Sequence, residues 1–276
     1  MKTGRIGWRR RDSGERSFAA MARPAVIHAA LARYRFAVPL CMGKSILDIG
    51  CGAGTGPRLL AETARYCVGL DYSSETLVSF SSSFRQWRIR AVAGDALALP
   101  FRAGSFDVVS AFEVIEHLHD PARLLAGMKR VLAPGGMAIF STPNRPVYSP
   151  RGTWLDYHVR EYDAAELEAL LAPFFTEVAL LGQAQRTRDA LLDCNPLNKV
   201  FYPIKRRIDP RGVVLNRLRA AYVYLRWGER PGYCSPDDFP VLDKDVESLP
   251  ILVAVCRMEL PATGMSGGRD AFPSTE

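Results

Sequence analysis

Ser45-Ile46-Leu47-Asp48-Ile49-Gly50-Cys51-Gly52-Ala53-Gly54-Thr55-Gly56 is the stretch that decides the fold. A short apolar run stopping at glycine is the pattern of a buried strand, and Thr55–Ala64 behind it has helical spacing. Glycines let the turn backbone come close to a ligand, and the first turn of the next helix offers N–H groups that no helical carbonyl uses. Strand, glycine turn and helix in that order predict a ligand site at the carboxyl end of a strand.

Outward from this unit the same alternation continues. Ala19–Val38 reads as a helix before it, and after it come strands at Tyr66–Asp71, Arg88–Ala93, Phe106–Ala111 and Gly136–Thr142. Helices are expected at Ser74–Phe84 and Pro121–Leu132, then at Asp163–Ala172, with further strands at Thr176–Leu181 and Leu249–Arg257. Strands alternating with helices form βαβ units, so the expected class is α/β, a parallel sheet with helices on both faces. About 65 residues between the last two strands show no clear alternation, too many for a connection in a compact core. The expected organisation is a basic N-terminus (1–18), a core (19–182), an insertion or cap (183–248), a final core strand (249–260) and a disordered tail (261–276).

Composition sets the limits. The chain has 276 residues, 48% hydrophobic and 24% charged, with no apolar run near the roughly 18 residues that cross a bilayer. Residues 1–16 are basic with no apolar core, unlike a secretory signal, and the six cysteines form no CxxC pair, so a reducing cytoplasm without structural zinc is expected. The net charge of +7 is uneven: residues 1–40 carry nine Lys/Arg against two acids and residues 183–232 eleven against four, leaving an acidic remainder. Aromatic and apolar residues interleave with the second basic stretch, from Phe201 and Tyr202 through Lys205, Arg206 and Arg207 to Tyr224 and Trp227. Such a stretch suits a lid, a peripheral membrane contact through 199–227, or a track for nucleic acid, as well as a plain solvated surface.

Ligands of a wound α/β sheet sit beyond the strands' carboxyl ends. Three of those ends converge on a nucleoside: the glycine turn after Asp48, Asp71 placed for ribose hydroxyls, and Gly94-Asp95-Ala96 placed for an adenine amino group. A dinucleotide fingerprint G-x-G-x-x-G/A fails in both frames, since the last position is Thr55 counted from Gly50 and Pro57 counted from Gly52.

The ordered motifs ILDIGCGAG (46–54), GLDYS (69–73), GDALALPF (94–101), FDVVSAFEVIEHL (106–118) and LAPGGMAIFSTPN (132–144) resemble the class I S-adenosylmethionine-dependent methyltransferases over roughly residues 30–182. The resemblance implies a Rossmann-like sheet of seven strands with helices on both faces and an insertion between the last two. It also implies S-adenosyl-L-methionine as cofactor. By the same resemblance Gly50, Gly52 and Gly54 flank the methionine and ribose part, Asp71 takes the ribose hydroxyls, Tyr72 lies against the adenine, Asp95 with Ala96 reads its edge, and Asp48, Cys51 and Phe112 also belong to the cofactor site. Cys51 reads as packing in the turn rather than as a nucleophile.

A sulfonium methyl is already activated, so the chain must hold a nucleophile in line and take its proton. Glu113, Glu116 and His117 stand at i, i+3 and i+4; on a helix they would share one face, and His158 in DYHVREY can join them. Two readings stand. In one, Glu113, Glu116, His117 and His158 hold Mg2+, Mn2+ or Zn2+, as the similarity of E-x-x-E-H to the ubiquinone-biosynthesis O-methyltransferases and to enzymes that methylate the terminal 2′-hydroxyl of small RNAs implies. In the other, no metal takes part, His117 is a general base or an orienting residue and the glutamates line the methionine pocket; His117, Glu113 and His158 are the catalytic candidates. His119 is expected at the surface. The resulting expectation is O-methylation of a small or lipid-linked acceptor. An RNA 2′-hydroxyl, or a non-catalytic module that keeps the pocket and works through its basic surfaces, are the competing functions.

Overall fold

The computed structural model describes residues 24–83, 88–150, 158–186 and 235–259. The N-terminal stretch 1–18, the centre of the basic and aromatic segment including 199–227, Cys194, Cys234 and the tail 261–276 lie outside the described residues. Contacts group residues 29–186 with 236–276 in one compact unit; the other grouping, 1–28 with 187–235, is described only at 24–28 and 235.

Helix α1 (Pro24–Ala37) precedes the sheet. Strand β1 (Ser45–Ile49) is followed by α2 (Thr55–Ala61), β2 (Tyr66–Asp71), α3 (Ser74–Ser83), β3 (Ile89–Ala93) and β4 (Phe106–Phe112). Then come α4 (Pro121–Val131), β5 (Leu132–Pro143), the single turn α5 (Arg145–Tyr148), α6 (Ala164–Leu171) and β6 (Glu177–Gln183). The last strands are β7 (Val241–Leu242) and β8 (Ile251–Arg257). The sheet order is β3-β2-β1-β4-β5-β8-β6-β7. Pairings from β3 to β5 are parallel, and β8 runs antiparallel between β5 and β6. The α/β sheet expected from the alternation is present, but it is parallel only from β3 to β5, and it has one addition: Val241–Leu242 pairs antiparallel with Gly182 and Gln183 as an eighth strand. Two residues are too short a run to carry a periodic signal.

Side chains alternate across the strands and build two cores, one on each sheet face. Leu47, Val109, Phe140 and Ala254 pack with Leu124, Leu125 and Met128 of α4 and Leu167 and Leu171 of α6. Ile46, Val108, Ile139, Val253 and Val255 face the other way, toward Ala37 of α1, Leu60 and Ala61 of α2 and Leu77 of α3. Helix α4 starts where Asp120 accepts the Arg123 N–H with Pro121 at the first position. Helix α6 starts in a capping box in which Asp163 and Glu166 satisfy each other's backbone N–H groups. Among the described residues no helix is long and apolar enough to cross a membrane.

Candidate active site

The glycine turn closes over the ends of β1 and β2. Gly50, Gly52 and Gly54 have φ of 72, 53 and 85°, the left-handed region where a side chain is strained, so glycine is required at each. Gly50 N and Cys51 N both donate to Leu70 O, which pins the turn to β2. Asp71 holds it from the front: its Oδ2 accepts Gly52 N at 2.8 Å and its Oδ1 accepts Ser73 N at 2.8 Å. A carboxylate has about four acceptor positions, so each oxygen can still meet a ribose hydroxyl. A Cβ built on Gly52 meets nothing within 4 Å, so the turn looks onto open space. This cradle fits a nucleoside ligand.

Around the cradle, Tyr72 is exposed at the end of β2, and Asp95 closes the turn after β3 by accepting Leu97 N at 2.8 Å. Ala96 is partly buried against the core, and Phe112 is buried at the end of β4. Cys51 is buried, and its sulfur occupies the space that Gly69 leaves by lacking a Cβ. Burial, then the charges of Asp48 and Asp71, raises its thiol pKa, which is the behaviour of a packing cysteine and not of a nucleophile. Beneath the turn lies Asp48, fully buried, accepting Ser110 Oγ at 2.6 Å and Tyr34 Oη at 2.9 Å. Burial pushes its carboxyl up to about 7; the two hydroxyl bonds oppose the rise and the Asp71 charge adds to it. Tyr34 stacks edge-on against Phe112 with ring centroids 4.9 Å apart, so α1 roofs this end of the site. Ser110 lies within the 106–118 motif but is given no role by it, and Tyr34 lies outside the five motifs.

The segment after β4 is not the helix that would align 113, 116 and 117. Glu113 has φ of 55°, and a 3-10 turn, Ile115–His117, follows it. Glu113 therefore turns back to β5, where Ser141 Oγ donates to its Oε1 at 2.8 Å and Ser141 O accepts its N–H at 3.0 Å. The four-residue ligand set expected from helical spacing is thereby reduced to three: donor atoms of Glu116, His117 and His158 lie within 4.8 Å of one another, and Glu113 is not among them.

The same turn brings His158 in. Glu116 O accepts Val159 N at 2.8 Å and Arg160 N at 3.1 Å, and Tyr162 bridges Asn144 at the end of β5. The His117 and His158 rings meet edge-on, centroids 5.1 Å apart. Glu116 is fully buried; Oε2 accepts Thr142 Oγ1 at 3.1 Å, while Oε1 has no hydrogen-bond partner. Burial and then the Glu113 charge raise its carboxyl well above the usual range. Behind His158 stands Glu161, fully buried, with Oε1 at 2.7 Å from Nδ1. Sequence reasoning passes over Glu161; its one signal is the three-residue spacing in His158-Val159-Arg160-Glu161, which means little in an extended segment. His119 is exposed, as expected.

Residues 47–140 match the family described as "Methyltransferase domain". Over 133 residues the chain is 44% identical to a probable S-adenosylmethionine-dependent methyltransferase of Mycolicibacterium smegmatis, covering 48% of this chain and 51% of that one. Over 109 residues it is 37% identical to a ubiquinone biosynthesis O-methyltransferase of Psychrobacter arcticus, covering 37% and 42%. The chain thus spans about half the length, or less, of these curated relatives. The fold recurs in a Thermotoga maritima structure described as a SAM-dependent methyltransferase, possible histamine N-methyltransferase (TM-score 0.57, 18% identity, 89% of this chain and 94% of that one). It recurs also in an N-methyltransferase of Bradyrhizobium japonicum solved with S-adenosyl-L-homocysteine (TM-score 0.53, 18% identity, 87% and 91%). Sheet order, glycine cradle and these matches agree on one conclusion: residues 47–140 carry a methyltransferase domain, similar to those of S-adenosylmethionine-dependent methyltransferases.

Proposed function

We propose that this chain methylates a hydroxyl of a small or lipid-linked acceptor. The observation that carries this reading is the cluster of the buried Glu116 with the partly buried His117 and His158 at the carboxyl edge of the sheet, on the side of β4 and β5 next to the cofactor cradle. A hydroxyl, unlike a neutral amine, holds a proton that must leave as the new bond forms, and an imidazole is the side chain suited to take it near neutral pH. Relatives named ubiquinone biosynthesis O-methyltransferases support oxygen as the acceptor atom.

When bound, S-adenosylmethionine supplies a sulfonium methyl and leaves as S-adenosylhomocysteine once the acceptor oxygen has taken that methyl. The chain's part is placement and proton transfer. We assign the Nδ1–H of His158 to its 2.7 Å contact with Glu161, which makes Nε2 the basic nitrogen and fixes the ring plane. His158 Nε2 takes the hydroxyl proton, and the negative Glu161 behind it stabilises the resulting imidazolium. His117, edge-on to His158, limits where the acceptor oxygen can sit. Thr142 and the 3-10 turn hold Glu116 with a carboxylate oxygen within 4.8 Å of a nitrogen of each ring.

The donor set also fits a divalent cation, because the buried Glu116 Oε1 has no hydrogen-bond partner and lies beside two imidazoles, 3.9 Å from His117 Nε2. Glu116, His117 and His158 would hold Zn2+, Mn2+ or Mg2+, with Glu161 orienting His158 from behind, and such an ion would lower the pKa of an acceptor hydroxyl.

The test is methyl transfer from labelled S-adenosylmethionine into a host extract resolved into small-molecule, lipid, nucleic-acid and protein pools, with and without chelator and with each metal restored. Label is expected in the small-molecule or lipid pool. His158→Ala is expected to lower turnover about 100-fold or more, and Glu161→Gln by less, with S-adenosylhomocysteine affinity unchanged. Label confined to RNA or protein, or full turnover in His158→Ala, refutes the reading; indifference to chelator removes the metal from it.

A further inference from the structure

Arg33 lies in α1 with 6% of its surface exposed. Its Nη1 donates to Gln183 Oε1 at 2.6 Å, and its Nε is buried with no hydrogen-bond partner. Among the described residues it makes no ion pair with a carboxylate. A buried cation answered by one neutral amide is costly, far more so than a paired one. The amide itself is fixed: Gln183 Nε2 donates to Ala29 O at 2.9 Å and Phe239 O at 3.2 Å, which leaves Oε1 aimed at Arg33. The chain thus builds a rigid mount for a guanidinium, and among the described residues no carboxylate pairs with it.

The mount stands at the site's edge. Gln183 ends β6, pairs with Ile251 of β8, and Ile251 pairs with Pro143 of β5, next to the Thr142 that holds Glu116. Arg33 is near enough to Glu116 for its charge to pull that carboxyl's pKa down against burial. In the sheet order β6 is four places from β1, roughly 19 Å at about 4.8 Å per strand, so the guanidinium is held on the half of the edge away from the ribose and adenine ends of β2 and β3.

We propose that Arg33 receives an anionic oxygen group, a carboxylate or a phosphate, carried by the methyl acceptor, and that Gln183 is its positioning residue. Arginine's planar fork suits either group through two parallel N–H bonds. The inference rests on the reading of this edge as the acceptor site of a methyltransferase, and it narrows the acceptor to an anion.

The test uses the full chain saturated with S-adenosylhomocysteine and titrated calorimetrically with benzoate, phenyl phosphate and the neutral benzamide. The wild type is expected to bind one of the two anions at least about tenfold more tightly than benzamide, and which one identifies carboxylate or phosphate. Arg33→Met should abolish that preference, Arg33→Lys should keep part of it, and Gln183→Leu should weaken it in a chain whose cation remains, so the proposal stays testable if Arg33→Met melts early. S-adenosylhomocysteine affinity should stay within about twofold in all three variants. No anion preference in the wild type, or a preference that survives Arg33→Met, overturns the proposal. So does loss of S-adenosylhomocysteine affinity in Arg33→Met, which would give the guanidinium to the cofactor's own carboxylate. A wild type that fails to bind S-adenosylhomocysteine strikes the methyltransferase reading instead, and the same titrations without it still decide Arg33.

Discussion

Asp48→Asn should make the cofactor-free protein more stable, and only above acid pH. In the folded chain the Asp48 carboxyl is raised from its ordinary 3.8 to about 7, because burial disfavours the anion more than the Ser110 and Tyr34 hydroxyls favour it. Between those values the folded state binds a proton that the unfolded state has released. Stability therefore falls as pH rises through this window and is level above it, the reverse of a salt-bridged aspartate. A shift of about 3 units corresponds to roughly 4 kcal/mol. Asparagine removes the titration but keeps the bonding: Oδ1 can still accept Ser110 Oγ, and Nδ2 can donate to the Tyr34 oxygen. Urea unfolding of both proteins, followed by far-ultraviolet circular dichroism at five pH values from about 4 to 8, gives a difference curve in which every other titrating group cancels. That difference should start near zero at the acid end and climb toward roughly 4 kcal/mol in favour of the variant by neutral pH. A curve that stays flat within about 1 kcal/mol, or that slopes the other way, would show that Asp48 is ionised in the fold and would refute the argument from burial.

Two further outcomes follow from the cradle. A Cβ on Gly56 would run into the Tyr34 ring, so Gly56→Ala should displace that ring from Asp48 and cost about 1–3 kcal/mol in urea unfolding. Most of that cost should vanish in a Tyr34→Ala background, and a fully additive double variant would mean that something else meets the new methyl. Asp71→Asn leaves one acceptor oxygen for two backbone N–H groups, and S-adenosylhomocysteine affinity measured by calorimetry should fall about 10- to 100-fold with the melting temperature little changed. Affinity within about twofold of wild type would release Asp71 from the cofactor site.

The elements the sequence predicts best are those whose signal is local. Tyr66–Asp71 is a strand with the bounds that its apolar run sets, and the glycine turn lies where the spacing of Gly50, Gly52 and Gly54 puts it. Glu113, Glu116 and His117 have the i, i+3 and i+4 spacing that would put them on one face if the segment were helical, yet the backbone at Glu113 is left-handed and the carboxylate leaves for Ser141. That departure is set by a strand 28 residues further on, which no local window contains.

Sequence alone therefore determined the α/β class, the order of strands and helices, the glycine cradle and the acids that rim it, because hydrophobic period, turn chemistry and strand ends are properties of neighbouring residues. Tertiary structure decided which groups meet. His158 reaches Glu116 only because Glu116 O captures the backbone of 159–160, Glu161 counts only because His158 is already there, and Arg33 meets Gln183 across 150 positions of chain. Those encounters depend on sheet order and register, which are settled by the packing of the two cores as a whole and leave no periodic trace at the residues that benefit.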